Sequence, residues 1–225
     1  TWTDQDYATG QFYNVFLTTH VPYHVCGAQQ DNTTACVSSA PPAGFLFPSM
    51  SLYDAGGGES GYIAPDPTDP DVFYAGSYGG YLSRLDRRTN QRRQIDVWPD
   101  NPMGWGSEHI TERFQWTYPI VFSPADKKTI YVSSQHLWRT STEGQSWERI
   151  SPDLTRHDPR TMVASGGPIT KDNTGVETYG VIFSIAPSHQ DAVLILAHRR
   201  HGVRDPGAHR RAAAGASRSL VREVV

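Results

Sequence analysis

The chain has 225 residues, with 20 Lys+Arg against 23 Asp+Glu and a formal net charge of -3. That balance argues against the basic stripe of a nucleic-acid-binding surface. No apolar run approaches the roughly 20 residues of a membrane-spanning helix. Aromatic content is 11%, and 20 Gly and 16 Pro divide short apolar runs, a composition that suits an all-β chain of many short strands. Thr1-Trp2 carries no signal segment and reads as a mature start or an internal cut.

Cys26 and Cys36 flank the turn-like stretch Gln29-Gln30-Asp31-Asn32, and reflection about Asp31 sets them opposite each other. Directly opposed strand residues lie within disulfide reach, so an oxidising compartment predicts a bridge and a cytosolic one two buried thiols. Asn32-Thr33-Thr34 is a formal glycosylation sequon.

The chain then repeats itself. Val25-Cys26-Gly27-Ala28, Tyr74-Ala75-Gly76-Ser77 and Tyr131-Val132-Ser133-Ser134 share one pattern, and a fourth copy runs from Ala186-Pro187-Ser188-His189 into Val193-Leu194. Strand-like runs 61–64, 72–75, 81–85 and 94–97 form one unit, and 119–122, 129–132, 137–140 and 146–150 form the next. The copies begin at 25, 74, 131 and 194, spacings of 49, 57 and 63 residues. Four strands at about this period predict the blades of a β-propeller, with neighbouring blades stacked to bury both faces. The expectation is a partial β-propeller over 1–195, with three complete four-stranded blades and the start of a fourth. Its exposed blade edges predict self-association.

Two segments interrupt the pattern. Residues 98–106 form a Gly/Pro-rich insertion holding Trp98 and Trp105, read either as a binding loop or as a packed cover. Residues 196–225 are rich in Arg and Ala, read either as a change of reading frame near residue 195 or as a basic disordered tail.

Thr140-Ser141-Thr142-Glu143-Gly144-Gln145-Ser146-Trp147 resembles the Asp-box, Ser-x-Asp-x-Gly-x-x-Trp, with Thr142 in place of the Asp. Thr1-Trp2 resembles the end of another such box. With 11–32, 56–80, 98–105, 131–154 and 166–177, these segments resemble the exported BNR-repeat proteins, often called glycosyl hydrolases, with sortilin-like N-terminal domains. The resemblance implies a fragment of a larger, secreted or periplasmic propeller. Its relatives include xyloglucan-cleaving hydrolases, sialidases and peptide-binding receptors, so it implies a glycan or peptide ligand without fixing an activity.

Propeller ligands sit where the inner strands begin. The segments 58–60, 113–116 and 176–179 occupy that place and supply Glu59 and Glu177 as a candidate carboxylate pair for glycoside hydrolysis. The alternative for Glu59 is a carboxylate accepting backbone N–H bonds in its Gly-rich turn. Gln30, Asp31, Tyr78, Trp105, Gln115, Trp116 and Tyr179 are the candidate ligand-binding residues. The arginines Arg84, Arg87, Arg88, Arg92 and Arg93 crowd one hairpin and read as a solvated face rather than a sialidase triad. His20 and His24 flank Pro22 in a strand-like context, and the acidic turn at Asp66, Asp69 and Asp71 reads either as a calcium site or, as the intervening Pro67 and Pro70 favour, as a plain turn. His109 and His136 stand alone and no P-loop or Gly-x-Ser-x-Gly elbow occurs, so with the plain turn favoured neither a metal nor a cofactor is expected. The leading reading is a ligand-binding module. The alternatives are a glycoside hydrolase and a truncated product without independent function.

Overall fold

A computed structural model describes residues 10–40, 51–171, 173, 175–190, 194–199 and 218–222. Thr1-Trp2 and most of the basic tail lie outside them. The described residues form antiparallel sheets and short 3-10 turns. The first sheet runs β1 (Phe16–Leu17), β2 (His24–Ala28), β3 (Thr34–Ser38), extended by a bridge from Cys36 to Tyr53. The second runs β4 (Ile63–Pro65), β5 (Val72–Gly76), β6 (Leu82–Asp86), β7 (Gln91–Gln94). The third runs β8 (Ile120–Phe122), β9 (Ile130–Ser133), β10 (Leu137–Thr140), β11 (Glu148–Arg149). The fourth runs β12 (Ile182–Pro187), β13 (Leu194–Arg199), β14 (Arg218–Arg222). Strand order follows chain order in every sheet, and β1, β4, β8 and β12 touch in succession. This is a partial β-propeller with those four strands innermost.

Three cores hold the blades together, one at each junction. Cys26 and Cys36 meet Ile63, Phe73, Ala75 and Leu85 between the first and second blades. Ala64, Tyr74 and Leu82 meet Tyr118, Ile120, Val132 and Trp138 between the second and third. Tyr131 and Leu137 meet Ile182, Ile185, Ile195 and Ala197 between the third and fourth. Alternate residues of β5 therefore serve opposite junctions, as the period of two requires. Burial of each large apolar side chain contributes about 1.5–3 kcal/mol. The phenol of Tyr118, deep in the middle core, donates to the carbonyl of Tyr81, and burial raises its pKa well above the ordinary value.

The registers correct the repeat frame. Tyr74 and Tyr131 each face the following blade, but the first-blade residue that does so is Cys26, not Val25. A run of small and β-branched residues marks a strand without saying which face each residue takes. The outer strands also move. The second blade ends on 91–94 rather than 94–97, because the Asp86 carboxylate accepts the Arg88 N–H at 3.0 Å and Asn90 turns at φ 55, closing the hairpin early. In the third, pairing covers only 148–149 of 146–150.

Cys26 and Cys36 are direct register partners and are bridged, with Cα atoms 4.1 Å apart. On the other face of that sheet Leu17 pairs with Val25 and Val25 with Val37. No described blade covers this row, and Leu17 is 61% exposed.

The turn resembling an Asp-box closes on hydroxyl groups. Thr140 Oγ1 accepts the N–H groups of Thr142 and Gly144, and Thr142 Oγ1 accepts that of Ser146 at 3.1 Å. Gly144 sits at φ +76, and a Cβ there would lie 2.7 Å from Ile95.

Candidate functional site

The loops before the first strand and after the second strand of each blade share one end of the propeller. Glycine brings them close in the second blade. Gly58 N–H donates to the Gly76 carbonyl at 3.0 Å, and a Cβ on Gly61 would lie 1.8 Å from that same oxygen. The turn this creates carries Glu59 toward the first blade, where its Oε2 accepts the Asp31 N–H at 2.7 Å. Asp31 itself turns at φ 58.

Aromatic rings close over the same end. Tyr78, after β5, stacks on Trp116, before β8, with centroids 5.0 Å apart and planes at 10°. Tyr13, before β1, meets the edge of Trp116 at 6.3 Å and donates its phenol hydrogen to Gln30 Oε1. Gln115 turns back, its Oε1 accepting the Trp116 N–H at 2.8 Å. Gln30, Asp31, Glu59, Tyr78, Gln115 and Trp116 thus share one end. Tyr13 was missed, though it also precedes an inner strand and the same positional rule applied to the first blade finds it. Ser60 Oγ, Trp116 Nε1 and Thr178 Oγ1, each just before an inner strand, are buried without a hydrogen-bond partner among the described residues.

Glu177, Trp105 and Tyr179 come together elsewhere. They line a cavity of about 320 Å³ with Arg160, Asn173 and Thr178. An adjoining cavity of about 450 Å³ shares Trp105 and Asn173 and adds His109 and Lys171. Trp105 is 50% and Tyr179 59% exposed. Glu177 is exposed and has no hydrogen-bond partner among the described residues. Glu59 does not line this cavity, so the two carboxylates have different surroundings. Arg160 carried no sequence signal, being an isolated polar residue in an irregular segment, and Asn173 lies in the resembling segment 166–177 without a feature that singles it out.

Beside the mouth lies a polar set of buried Glu112 and Ser134 with half-buried His136. Ser134 Oγ donates to Glu112 Oε2 at 2.6 Å, and His136 Nδ1 lies 3.0 Å from Glu112 Oε1. Ser134 Oγ also accepts from the Trp138 indole and the His136 amide. The imidazole addresses the carboxylate and not the serine, which is wholly buried. This is a packing network, because a nucleophilic serine needs its base on its own oxygen. Next to it, buried Arg113 joins the third and fourth blades, donating to the Gly180 carbonyl and to Asp153 Oδ2, both at 3.0 Å.

The arginines of the β6–β7 hairpin are held by separate partners. Arg84 pairs with Glu143, Arg87 with Asp71, Arg88 with Asp69 and Asp86, and Arg92 with Asp54. The imidazoles of His20 and His24 stack at 4.0 Å, His20 faces Asp71, and His24 Nδ1 lies 2.6 Å from the Tyr53 hydroxyl. Burial first, then His20 and Arg87, lower the His24 pKa, while burial raises that of Tyr53 to about 12. Among the described residues no three His, Cys, Asp or Glu are grouped to hold a metal, and no helix is long and apolar enough to cross a membrane.

No family model matches the chain, and no curated protein matches it. Among solved structures it is similar to a xyloglucanase of glycoside hydrolase family 74 from Xanthomonas campestris, with a TM-score of 0.44 and 14% identity over 77% of this chain. The matched part is 24% of that xyloglucanase, so the chain spans about a quarter of the neighbour's length.

Proposed function

We propose that this chain is a glycan-binding module of an exported, sortilin-like BNR-repeat propeller, and that the ligand lies in the cavity between Trp105 and Tyr179. One observation carries the reading. Two exposed aromatic faces border one cavity with a carboxylate, Glu177, that no described residue engages. Aromatic faces stack on the apolar faces of sugar rings, while a few polar groups fix hydroxyls. Arg160, Asn173 and Glu177 are those groups. The Cys26–Cys36 bridge supports export to an oxidising compartment, and the uncovered row of Leu17, Val25 and Val37 supports self-association of the isolated chain.

The geometry favours binding over turnover. Two-carboxylate glycosidases hold the pair about 5–9.5 Å apart across one bond. Here one carboxylate lines the cavity and the other is engaged by the Asp31 amide outside it. The test is a panel of soluble oligosaccharides and extended peptides titrated against the whole chain, with reducing sugar assayed in parallel. The expected result is saturable glycan binding, weakened about tenfold or more by Trp105→Ala or Tyr179→Ala, without sugar release. Peptide binding alone refutes the ligand class. Sugar release lost in Glu177→Gln establishes the hydrolase instead, and no binding at all leaves a fragment without independent function.

A further inference from the structure

A second aromatic cleft lies at the outer rim, between the segment leaving β7 and the β10–β11 turn, away from the residues assigned above. Its volume is about 660 Å³, and Trp98, Trp138 and Trp147 line it with Gln94, Asp96 and Gln145. Half of the chain's 6 tryptophans therefore meet at one place. The Trp147 indole N–H is committed to the Ile95 carbonyl at 2.9 Å, and Trp98 is 41% exposed.

The charge in this cleft is unbalanced. Asp96 accepts the Leu82 N–H at 2.7 Å and the Gln94 side-chain amide. Both are neutral donors, and among the described residues no Lys, Arg or His forms an ion pair with it. The nearest guanidinium groups in sequence are occupied, Arg92 with Asp54 and Arg93 with the Glu143 carbonyl. Burial accordingly raises the Asp96 pKa, against those two hydrogen bonds. A half-buried carboxylate without a counter-charge favours a cation. Indole faces attract one too, most strongly when it is organic and weakly hydrated. A single carboxylate does not build the oxygen shell that calcium or magnesium needs.

We propose that this cleft binds a methylated ammonium cation, with Trp98 and Trp147 against its methyl groups, the buried Trp138 at their base and Asp96 supplying the opposing charge. The cleft is independent of the Trp105–Tyr179 cavity, so either assignment stands if the other fails.

The experiment titrates the whole chain with choline and, separately, with 3,3-dimethylbutanol, its neutral carbon analogue, by calorimetry and tryptophan fluorescence. Choline saturates the site in the millimolar range or below, and the neutral analogue binds about tenfold more weakly or worse. Trp98→Ala, at an exposed position, weakens choline by about fivefold or more without altering the circular dichroism of the fold. Asp96→Asn, which keeps an acceptor for the Leu82 amide, removes the preference for the cation. Equal binding of choline and its analogue overturns the proposal, as does no saturation by choline up to about 50 mM. Choline binding that Trp98→Ala leaves intact also overturns it. Since the two ligands are compared on the unaltered chain, an Asp96 variant that fails to fold still leaves a decisive result.

Discussion

The indole nitrogen of Trp147 donates to the carbonyl oxygen of Ile95 across 2.9 Å, fastening the β10–β11 turn of the third blade to the segment leaving β7 of the second. Gly144 makes that approach possible, since any Cβ would meet Ile95 at 2.7 Å. Trp147→Phe keeps most of the ring and loses the hydrogen bond, at a cost of about 1 kcal/mol. Gly144→Ala adds both the contact and a strained positive φ, and costs about 2 kcal/mol or more. Urea unfolding of the two variants checks the order. A Gly144→Ala chain as stable as the parent contradicts the contact.

The bridge between Cys26 and Cys36 closes a hairpin with a sequence separation of 10. So short a loop limits the entropy removed from the unfolded chain, and Cys26→Ala with Cys36→Ala costs about 2–3 kcal/mol. Both sulfurs lie in the core between the first two blades, so the loss is felt at that junction. Alkylation before and after reduction reports the bridge, and chemical unfolding of the double variant reports the cost.

Arg113 is the other strong tie between blades. Its side chain is 4% exposed and bonds the Gly180 carbonyl and Asp153. Arg113→Met removes the guanidinium from Asp153, which keeps only the exposed His157 imidazole at 3.2 Å, and costs about 3 kcal/mol, the lower end for a buried pair because Asp153 keeps some solvent. The pH dependence follows. Burial raises the Asp153 pKa, but hydrogen bonds from Thr155 and Arg113 outweigh it and hold the pKa below 3.8. A lowered carboxylate pKa gives stability that is present above 3.8 and lost as pH falls through the folded value. Arg113→Met therefore flattens the acid limb of stability against pH, and unfolding midpoints measured between about pH 2 and 5 show it.

The blade plan was legible because strand periodicity, turn residues and the spacing of copies all survive in one dimension. Tyr74 and Tyr131 landed at equivalent places. The frame slipped at Val25, where either neighbour could face the following blade and only cross-strand register decides. The outer strands 91–94 and 148–149 were hardest, since exposed polar strands such as Gln91-Arg92-Arg93-Gln94 carry no alternation. At the mouth, position before an inner strand was enough to gather Glu59 and Trp116. Tyr13 needed the same rule extended to the first blade. The separation of Glu59 from the Glu177 cavity was not readable, because it depends on where loops 98–109 and 159–180 fold.

His24 predicts a second, milder pH effect. Its pKa lies below the ordinary 6.5, through burial first and then the charges of His20 and Arg87, with Asp71 opposing. The unfolded chain therefore takes up a proton that the folded chain resists. Stability is complete above pH 6.5 and declines as pH falls below it. His24→Phe removes this slope and the contact to Tyr53. Thermal midpoints between about pH 5 and 8 separate the effect from the Asp153 limb, which begins near pH 4.

Glu59 permits a sharper test of what its carboxylate does. Its Oε2 accepts the Asp31 N–H at 2.7 Å, holding the turn after β2 against the loop before β4. If that is its work, Glu59→Gln, which keeps a side-chain acceptor, preserves most of the protection of the Asp31 amide against hydrogen exchange. Glu59→Ala removes the acceptor, and exchange at Asp31 rises by about tenfold, the equivalent of one charge-assisted bond at a solvent-accessible site. A rise only at Asp31 and its neighbours assigns the carboxylate to the turn. No change in Glu59→Ala shows that the bond does not hold the turn in solution and returns Glu59 to the pool of groups free to meet a ligand.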